Sequence, residues 1–308
     1  MGILAQIYFE RLLTSTGRTI FSMTSQLCGA VTNIILDPIL IFGLFGAPKM
    51  GVTGAAVATV IGQCVACIVA GICNHKFNHE VRLSFRGFRP DLKIIGHIYA
   101  VGIPSIIMQS ISSIMTYCMN LILVQFTVTA TAIFGVYFKL QSFFFMPVFG
   151  LNNGITPIIA YNYGARHRKR MLKTVKVSMF IAFCFTFIGF LAFEFIPKTL
   201  LGLFSASEDM LTIGIPALRI IGIHYLIAWF CIIAGTVFQA LGKAVFSMIV
   251  SIMRQLFVLV PAAYILASIG GLHAVWWSFP IAEIISLIVS VTFLVVINRT
   301  IIQKIPEA

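Results

Sequence analysis

Acidic residues are scarce in this chain, which has nine aspartates and glutamates among 308 residues against 21 lysines and arginines. Charged residues of both signs make up only 10% of the sequence, whereas hydrophobic residues make up 59%. Soluble domains carry about 25% charged residues, so this composition predicts a protein that lies in a lipid bilayer. The sequence also lacks a phosphate-binding loop, a nucleophile elbow and paired carboxylates. These absences argue against an enzyme and against ATP-driven pumping.

Cysteine and histidine give no sign of a disulfide framework or a metal centre. The seven cysteines are an odd set that lies mostly within apolar segments. Cys64 and Cys67 have a redox-like spacing, but inside a predicted helix they are more simply small packing residues. Four histidines lie in or beside predicted loops: His75, His79, His97 and His167. Their spacing suggests no metal site, and we expect neither a metal nor a cofactor.

Long apolar runs fill most of the chain and predict an all-α, polytopic membrane helix bundle. Eight runs are long enough to cross the hydrocarbon core, which needs about 20 residues. The predicted spans are 20–44, 52–73, 98–126, 130–158, 174–196, 212–238, 244–268 and 272–297. Residues 2–13 form a shorter apolar segment, which indicates the tail of a helix whose beginning lies outside the sequence.

Basic residues gather in the loops on one side of these spans and almost avoid the other side. The basic loops carry Arg11, Arg18, Lys76, Arg82, Arg86, Arg89, Lys93, Arg166, Arg168, Lys169, Arg170, Lys173, Lys176, Lys243, Arg299 and Lys304. The opposite loops hold only Lys49 and Lys198. The positive-inside rule then places both chain ends in the cytoplasm. The net charge of +12 therefore indicates topology and contact with anionic lipid rather than nucleic-acid binding.

The sequence contains an internal repeat. Gly17-Arg-Thr-Ile-Phe-Ser-Met23 recurs as Gly242-Lys-Ala-Val-Phe-Ser-Met248, and each copy opens a predicted span after a basic turn. Both copies enter the membrane in the same direction, as in transporters built from two similar lobes. The spacing fits six helices per lobe, so we expect eight of twelve helices here. Residues 1–93 are assigned to the end of an N-terminal lobe and 94–308 to a C-terminal lobe.

Two acidic residues near the start of the chain are assigned to different environments. Glu10 is predicted to lie in a water-exposed turn. Asp37 falls inside the first span, where an ionisable group costs about 2.5–3.5 kcal/mol on insertion scales and is a candidate functional group. Asn33 shares its helix face, and Pro38 removes an amide donor and predicts a bend. The pair predicts a proton or cation site, and a structural acid paired with a neighbouring helix is the alternative.

Soft and polar residues of the third and fourth spans predict a substrate cavity. Aromatic faces attract cations, thioethers adapt to varied shapes, and amides avoid lipid. The candidates are Gln109, Lys139, Gln141, Phe144, Met146, Asn152 and Asn153. Ordinary packing is the alternative for the apolar candidates, and snorkelling to the interface is the alternative for Lys139. Arg254 and Glu283 fall near the middle of neighbouring spans and predict a structural intramembrane ion pair.

Several motifs resemble those of bacterial MATE multidrug exporters. They are the stretches 33–43 and 51–59, which resemble the fifth and sixth helices of that family, then 138–147, 157–165 and 280–283. The most specific part is Tyr161-Asn-Tyr-Gly-Ala. The resemblance implies two six-helix lobes and export of cationic drugs in exchange for protons or sodium. In the family a fifth-helix acid, the asparagine before it and a sixth-helix threonine gather around the ion, and the matching positions here are Asp37, Asn33 and Thr59.

The sequence therefore predicts an ion-coupled multidrug efflux transporter that works by alternating access. Its expected partners are cationic drugs and membrane lipids but no nucleic acid, with H⁺ or Na⁺ as coupling ion and a monomer as the complete state. One alternative is a lipid-linked oligosaccharide flippase, which should offer several basic groups to a pyrophosphate, whereas the spans hold only Lys139, Arg219 and Arg254. The other is a fragment whose helices are purely structural.

Overall fold

A computed structural model describes residues 2–81 and 91–305 of the chain. These residues are almost entirely helical and include no β-strand within the described ranges. They divide into two compact units, Met1–Pro90 and Asp91–Ala308, and each is described by itself. The basic residues Arg82, Arg86 and Arg89 lie outside the described residues. The assignment of residues 1–93 and 94–308 to two lobes stays a prediction.

The N-terminal unit contains three helices, which follow the apolar runs of the sequence. They are α1 (Gly2–Ser15), α2 (Thr19–Phe42) and α3 (Val52–Phe77), with a short 3₁₀ turn at Leu44–Gly46. Helix α2 continues through Pro38 without a break. Helices α2 and α3 correspond to the first two predicted spans and are long and apolar enough to cross a membrane.

A row of small residues lets α3 approach α2 closely. Buried glycine or alanine recurs at every fourth position of α3, at Gly54, Ala58, Gly62, Ala66 and Ala70. A Cβ atom placed on Gly62 would lie only 2.8 Å from the carbonyl oxygen of Gly29 in α2. Helix pairs in lipid gain their stability from close packing of this kind, because lipid tails are as apolar as the side chains. The small row therefore fixes where α2 and α3 cross.

A buried amide fastens α1 to α3. The side chain of Asn74 donates from Nδ2 to the carbonyl oxygen of Phe9 at 2.8 Å and to that of Ala70 at 3.0 Å. Its Oδ1 accepts a hydrogen bond from Asn78 at 3.1 Å. A polar side chain that is buried in a membrane protein has to find its partners within the protein, and Asn74 finds them on both helices.

The C-terminal unit contains nine α-helices within residues 91–305. They are α4 (Leu92–Val124), α5 (Val128–Gly164), α6 (Arg168–Phe195), α7 (Pro197–Gly202), α8 (Glu208–Gly222), α9 (Tyr225–Ala240), α10 (Ala244–Ile252), α11 (Val260–Val275) and α12 (Ser278–Thr300). Side chains of Asp91, Thr127 and Ser207 accept backbone hydrogen bonds at the starts of α4, α5 and α8. A π-helical turn, Met253–Leu259, joins α10 to α11.

The count of eight predicted spans agrees with the described helices, but one span is broken. Seven helices, with α10 and α11 counted as one, are long and apolar enough to cross a membrane, and the pair α8 and α9 makes an eighth. That pair is bent by 50°, so the span predicted over 212–238 is present but consists of two helices with different axis directions. The amides of Ile223 and His224 donate to the carbonyl three residues earlier in the chain, and not to the one four residues earlier as in an α-helix. This tightens the turn and changes the helix direction.

An aromatic core holds the C-terminal unit together on one side of this break. Tyr137 is almost fully buried, and its ring centroid lies 5.4 Å from that of Phe279 and 6.2 Å from that of Phe193. The ring of Phe193 in turn lies 5.0 Å from that of Tyr225. Such edge-to-face and tilted contacts are favoured geometries for aromatic pairs. They fix α5, α6, α9 and α12 around the site described below.

The two copies of the sequence repeat share the same turn geometry. Gly17 and Gly242 have left-handed backbones, with φ of 76° and 73°. In both turns the next residue, Arg18 or Lys243, donates its amide to the carbonyl five residues earlier at 2.8 Å, which is a Schellman end. Arg166 takes the glycine position in a third turn of this type, with φ of 60°.

Candidate functional site

The predicted pair in α2 forms a direct hydrogen bond. Asn33 donates from Nδ2 to Oδ1 of Asp37 at 3.3 Å, and both side chains are half-buried. Helix α2 ends at Phe42, little more than one turn beyond Asp37. The acid thus lies closer to one end of the span than to its middle.

A polar groove of about 360 Å³ lies on the same unit. This N-terminal groove is lined by the polar side chains of Gln6, Glu10, Gln26, Asn33, Thr59 and Gln63, together with small and aliphatic residues of the three helices. Two of the three predicted ion-coupling residues, Asn33 and Thr59, therefore border one space. Asp37 is not among its lining residues and is connected to it through Asn33. The exposed Thr59 donates its hydroxyl to the carbonyl of Ala55 at 2.9 Å.

Glu10 lies inside the groove and not in an exposed turn, so that prediction was wrong. Its side chain is buried, with the residue only 7% exposed. Gln6 and Gln26 donate to its two oxygens at 2.8 Å, and the hydroxyl of Ser25 lies at 3.3 Å. The reason is that α1 continues to Ser15, which places Glu10 a full turn before the helix end and against α2. Its four-residue spacing from Gln6 was the available signal.

A second cavity, the C-terminal cavity, lies within the other unit and measures about 260 Å³. Its polar lining comes from Ser112, Tyr137, Gln141, Ser142, His224, Arg254, Gln255 and Glu283. Aromatic and aliphatic residues complete the wall: Met115, Phe138, Phe145, Phe149, Ile232, Leu259, Phe279 and Ala282. The cavity therefore combines ionisable groups with an aromatic enclosure.

The structure brings Arg254 and Glu283 together on the wall of this cavity. Nη1 of Arg254 donates to Oε2 of Glu283 at 3.3 Å. The carboxylate is almost completely buried, with its side chain 3% exposed, whereas the arginine side chain is 33% exposed. Arg254 lies in the π-helical turn, a feature that is frequent at functional sites because it redirects a side chain. The interpretation of this pair as structural stays a prediction.

His224 is a cavity residue that the sequence analysis missed. It is 3% exposed and lies in the break between α8 and α9. Nδ1 bonds to the carbonyl oxygen of Ile221, which can only accept, so Nδ1 carries the proton. The amide of Gln141 approaches Nε2 at 3.5 Å. Both ring nitrogens therefore have a hydrogen-bonding group within reach, and no loop pattern in the sequence pointed to this histidine.

Of the seven predicted substrate-cavity residues, only Gln141 lines the C-terminal cavity. Gln109, Lys139, Met146 and Asn153 are exposed, whereas Phe144 and Asn152 are half-buried. The ring of Phe144 packs on that of Phe193 at 5.8 Å, and Nζ of Lys139 lies 5.8 Å above the ring of Phe204. The structure therefore does not gather these residues in one cavity of the unit, and their contact with substrate stays a prediction.

The long apolar helices and the ionisable groups held between them define a polytopic α-helical integral membrane protein. A family model described as MatE matches residues 104–265, more than half of the chain. The chain therefore belongs to the MatE family, and the resemblance seen in its motifs is confirmed.

Curated relatives point to the same family. The chain is 29% identical over 279 residues to the multidrug export protein MepA of Staphylococcus haemolyticus, a match that covers 89% of this chain and 59% of that protein. It is 28% identical over 276 residues to MepA of Staphylococcus aureus strain MSSA476, with the same coverage. The chain thus spans less than two thirds of the length of these relatives.

Solved structures confirm the all-α membrane fold. An outward-facing multidrug resistance MATE family transporter of the MOP superfamily is similar with a TM-score of 0.85 and 25% identity, over 95% of this chain and 66% of that one. A MATE protein in complex with MaL6 gives a TM-score of 0.86 and 24% identity, over 97% and 68% of the two chains.

Proposed function

We propose that this chain takes part in ion-coupled export of cationic amphiphilic compounds. Its family and its relatives named as multidrug export proteins support a role in efflux. The observation that carries the coupling is the hydrogen-bonded acid and amide, Asp37 and Asn33, within a membrane-spanning helix beside a polar groove. An acid inside a membrane-spanning helix is a candidate functional group.

The geometry suggests how an ion at Asp37 would act on the groove. The carboxylate accepts a hydrogen bond from Asn33 through Oδ1. A proton or a sodium ion that binds this carboxylate neutralises its charge and weakens the hydrogen bond from Asn33, because bonds to an ionised acceptor are the stronger ones. The amide of Asn33 would then be released toward the groove that it lines. Ion occupancy at one turn of α2 would thereby change the polarity offered to a ligand one turn away.

Cation export is favoured over transport of lipid-linked pyrophosphates. Among the described residues that line the N-terminal groove and the C-terminal cavity, Arg254 is the one lysine or arginine, and Glu283 neutralises it. A pyrophosphate would need several basic groups in free positions. The aromatic wall of the C-terminal cavity is in contrast compatible with lipophilic cations.

We extend the proposal to the setting of the protein. The distribution of lysine and arginine supports insertion in a bacterial cytoplasmic membrane with both ends in the cytoplasm. The transporter relatives support a role other than that of an enzyme. We propose H⁺ or Na⁺ as coupling ion without a further cofactor, cationic drugs and lipids as partners, and a monomer as the complete state.

The proposal is tested by transport in proteoliposomes that contain the 308-residue chain. Ethidium serves as the lipophilic cation, and either a proton or a sodium gradient is imposed. Asp37→Asn should abolish ethidium movement while insertion into the liposomes is retained. Asp209→Asn, the same chemical change at an exposed acid of α8, should leave transport unchanged.

Two outcomes would overturn the proposal in different ways. Equal transport by the Asp37→Asn and Asp209→Asn proteins would remove Asp37 from the coupling. Ethidium movement by the unmodified chain that does not exceed that of protein-free liposomes under either gradient would favour the structural alternative.

A further inference from the structure

We propose that the C-terminal unit contains a proton-binding site of its own, centred on Glu283 and reached along buried serines of α12. This inference does not rest on the proposed coupling at Asp37, which lies in the other unit. It follows from an unsatisfied carboxylate oxygen, from the arginine beside it and from the serine positions on the same helix face.

The carboxylate of Glu283 is poorly satisfied for a group so deeply buried. Oε2 accepts a single hydrogen bond from Arg254 at 3.3 Å. Oε1 is inaccessible and receives no hydrogen bond from any of the described residues. A buried carboxylate normally has partners for both oxygens, because each unmade bond is costly. Oε1 is therefore available to carry a proton at the wall of the C-terminal cavity.

The presence of Arg254 selects a proton over a metal cation. The guanidinium already places a positive charge beside the carboxylate, and a sodium ion on Oε1 would lie close to that charge and be repelled by it. A proton on Oε1 instead makes the acid neutral and needs no further ligands. The hydrogen bond to Arg254 then loses its anionic acceptor and weakens, since bonds between two charged groups are the strong ones. Arg254, which is partly exposed, becomes free to turn toward the cavity.

The groups that face Glu283 come from four parts of the unit. They are Arg254 from the π-helical turn, His224 from the helix break, Cys231 from α9 and Tyr137 from α5. Helix α10 has no ionisable residue, and Tyr264 and His273 of α11 are exposed. The charged residues of α8 are exposed as well. Arg254 is therefore the one fixed charge beside Glu283 among the described residues of these elements.

Ser286 and Ser290 continue from Glu283 along one face of α12. They follow it by three and seven residues, which places them about 4.5 and 10.5 Å further along the axis. Both residues are fully buried, and their hydroxyls have no hydrogen-bond partner among the described residues. Hydroxyls in helices usually bond to a carbonyl one turn back, as Thr292 does with Ile288 at 2.8 Å.

Unpaired buried hydroxyls of this kind are normally satisfied by ordered water. A hydroxyl donates and accepts at once, so two of them with water between can pass a proton along the helix. The thiol of Cys231 lies beside Ser286 and Glu283 and interacts with both. A thiol is a weak donor, and that of Cys231 forms no hydrogen bond of standard geometry with Oε1 of Glu283 or with the hydroxyl of Ser286. The serines therefore supply a path along α12 between Ser290 and the carboxylate.

Infrared difference spectroscopy of the full chain in lipid nanodiscs tests the site directly. Acidification should produce the carbonyl band of a buried protonated carboxylic acid. We expect this band to be lost in Glu283→Gln and retained in Asp37→Asn and Glu10→Gln. A band of unchanged size in Glu283→Gln, or the lack of any such band while circular dichroism shows a folded chain, would overturn the proposal. The Asp37→Asn result also separates this site from the proposed coupling site.

A second set of variants keeps the test valid if Glu283→Gln disturbs folding by leaving Arg254 without its counter-charge. The double variant Glu283→Gln with Arg254→Gln has a neutral site and should also lack the band. Arg254→Gln alone should keep the band and bind the proton at least about tenfold more tightly, because an adjacent positive charge opposes protonation. Unchanged proton affinity in Arg254→Gln would contradict the role given to this pair.

The serine path has its own measurement. After transfer to D₂O, the band of protonated Glu283 should shift several-fold more slowly in the Ser286→Ala, Ser290→Ala double variant than in the unmodified chain. Ser268→Ala changes an exposed serine whose hydroxyl bonds to the carbonyl of Ile265 and should leave the rate unchanged. Equal exchange rates in the double variant and in Ser268→Ala would overturn the path.

Discussion

Replacing Gly62 by alanine should separate α2 from α3 at the point where their backbones meet. The added Cβ atom would lie 2.8 Å from the carbonyl oxygen of Gly29 and 3.2 Å from Cβ of Asn33, whereas ordinary contacts begin at 3.4 Å. A backbone carbonyl has no rotamer that could relieve the contact, so the helices have to move. The movement would shift Asn33 relative to Thr59 across the N-terminal groove.

The expected magnitude follows from two opposing effects. Overpacking of this kind costs about 1–3 kcal/mol, and alanine recovers up to about 1 kcal/mol of helix propensity relative to glycine. Because a rigid backbone carbonyl is the atom in contact, we take the upper part of the overpacking range, about 2–3 kcal/mol. The net destabilisation is then about 1–2 kcal/mol, which is a factor of about 5–30 in an opening equilibrium. Gly71→Ala is the matched control on the same helix, because its Cβ would meet only the ring of Phe9 at an ordinary 3.7 Å.

Thiol labelling measures this opening without unfolding the whole protein. Cys73 of α3 and Cys231 of α9 are both buried, at 8% exposure, and lie in different units. When closing is faster than labelling, the maleimide reaction rate follows the open population. Mass spectrometry should show about 5–30-fold faster labelling of Cys73 in Gly62→Ala, with Cys231 unchanged.

Two results would refute this reasoning. Labelling of Cys73 at the same rate in Gly62→Ala and Gly71→Ala would mean that the close backbone approach does not limit the packing of α2 on α3. Faster labelling of Cys231 together with Cys73 would indicate a general loss of structure that the local contact does not explain.

Two further substitutions test how the helices are fastened within each unit. Asn74→Ala removes the donor to the partly buried carbonyl of Phe9 and should cost about 1–3 kcal/mol, seen as faster amide hydrogen exchange in α1. Unchanged exchange would contradict the anchoring role. Gly189→Ala places a Cβ atom 2.8 Å from the ring of Tyr225 and should cost about 1–3 kcal/mol. All three tryptophans lie in the C-terminal unit, so their fluorescence reports its unfolding. The Tm of Gly189→Ala should be lower than that of the control Gly202→Ala, whose Cβ would meet no atom within 4 Å. Equal Tm values would exclude the clash.

The membrane helices could be predicted from the sequence because hydropathy responds to the local run of residues. The break at His224 could not be predicted in this way. Residues 212–238 form one apolar run, and hydropathy contains no information about a change in axis direction. At the break, the amides of Ile223 and His224 bond to the carbonyl three residues earlier, and the helices pack against the aromatic core. Both features depend on tertiary structure.

For the candidate sites, too, some features could be predicted from local sequence and others depend on tertiary contacts. The meeting of Arg254 with Glu283 followed from the high cost of either charge alone in lipid. For Glu10 the spacing of Gln6 was only a partial signal of burial, because Gln26 and Ser25, which also bond to it, belong to the next helix. The predicted cavity residues were chosen by chemical type without knowledge of the helix face, so Gln109 and Met146 turned out to be exposed.

At the left-handed turn of Arg166, a side chain that favours one membrane orientation occupies a backbone conformation that disfavours side chains. Its two counterparts in the chain are glycines, whereas a residue with a side chain loses about 1–2 kcal/mol in this conformation. The same arginine belongs to the most basic stretch of the sequence, Arg166-His-Arg-Lys-Arg170. At this turn the chain thus holds a charge that favours one membrane orientation in a conformation that glycine would adopt without strain. A single residue is here fitted to the insertion of the protein at the expense of its folded stability.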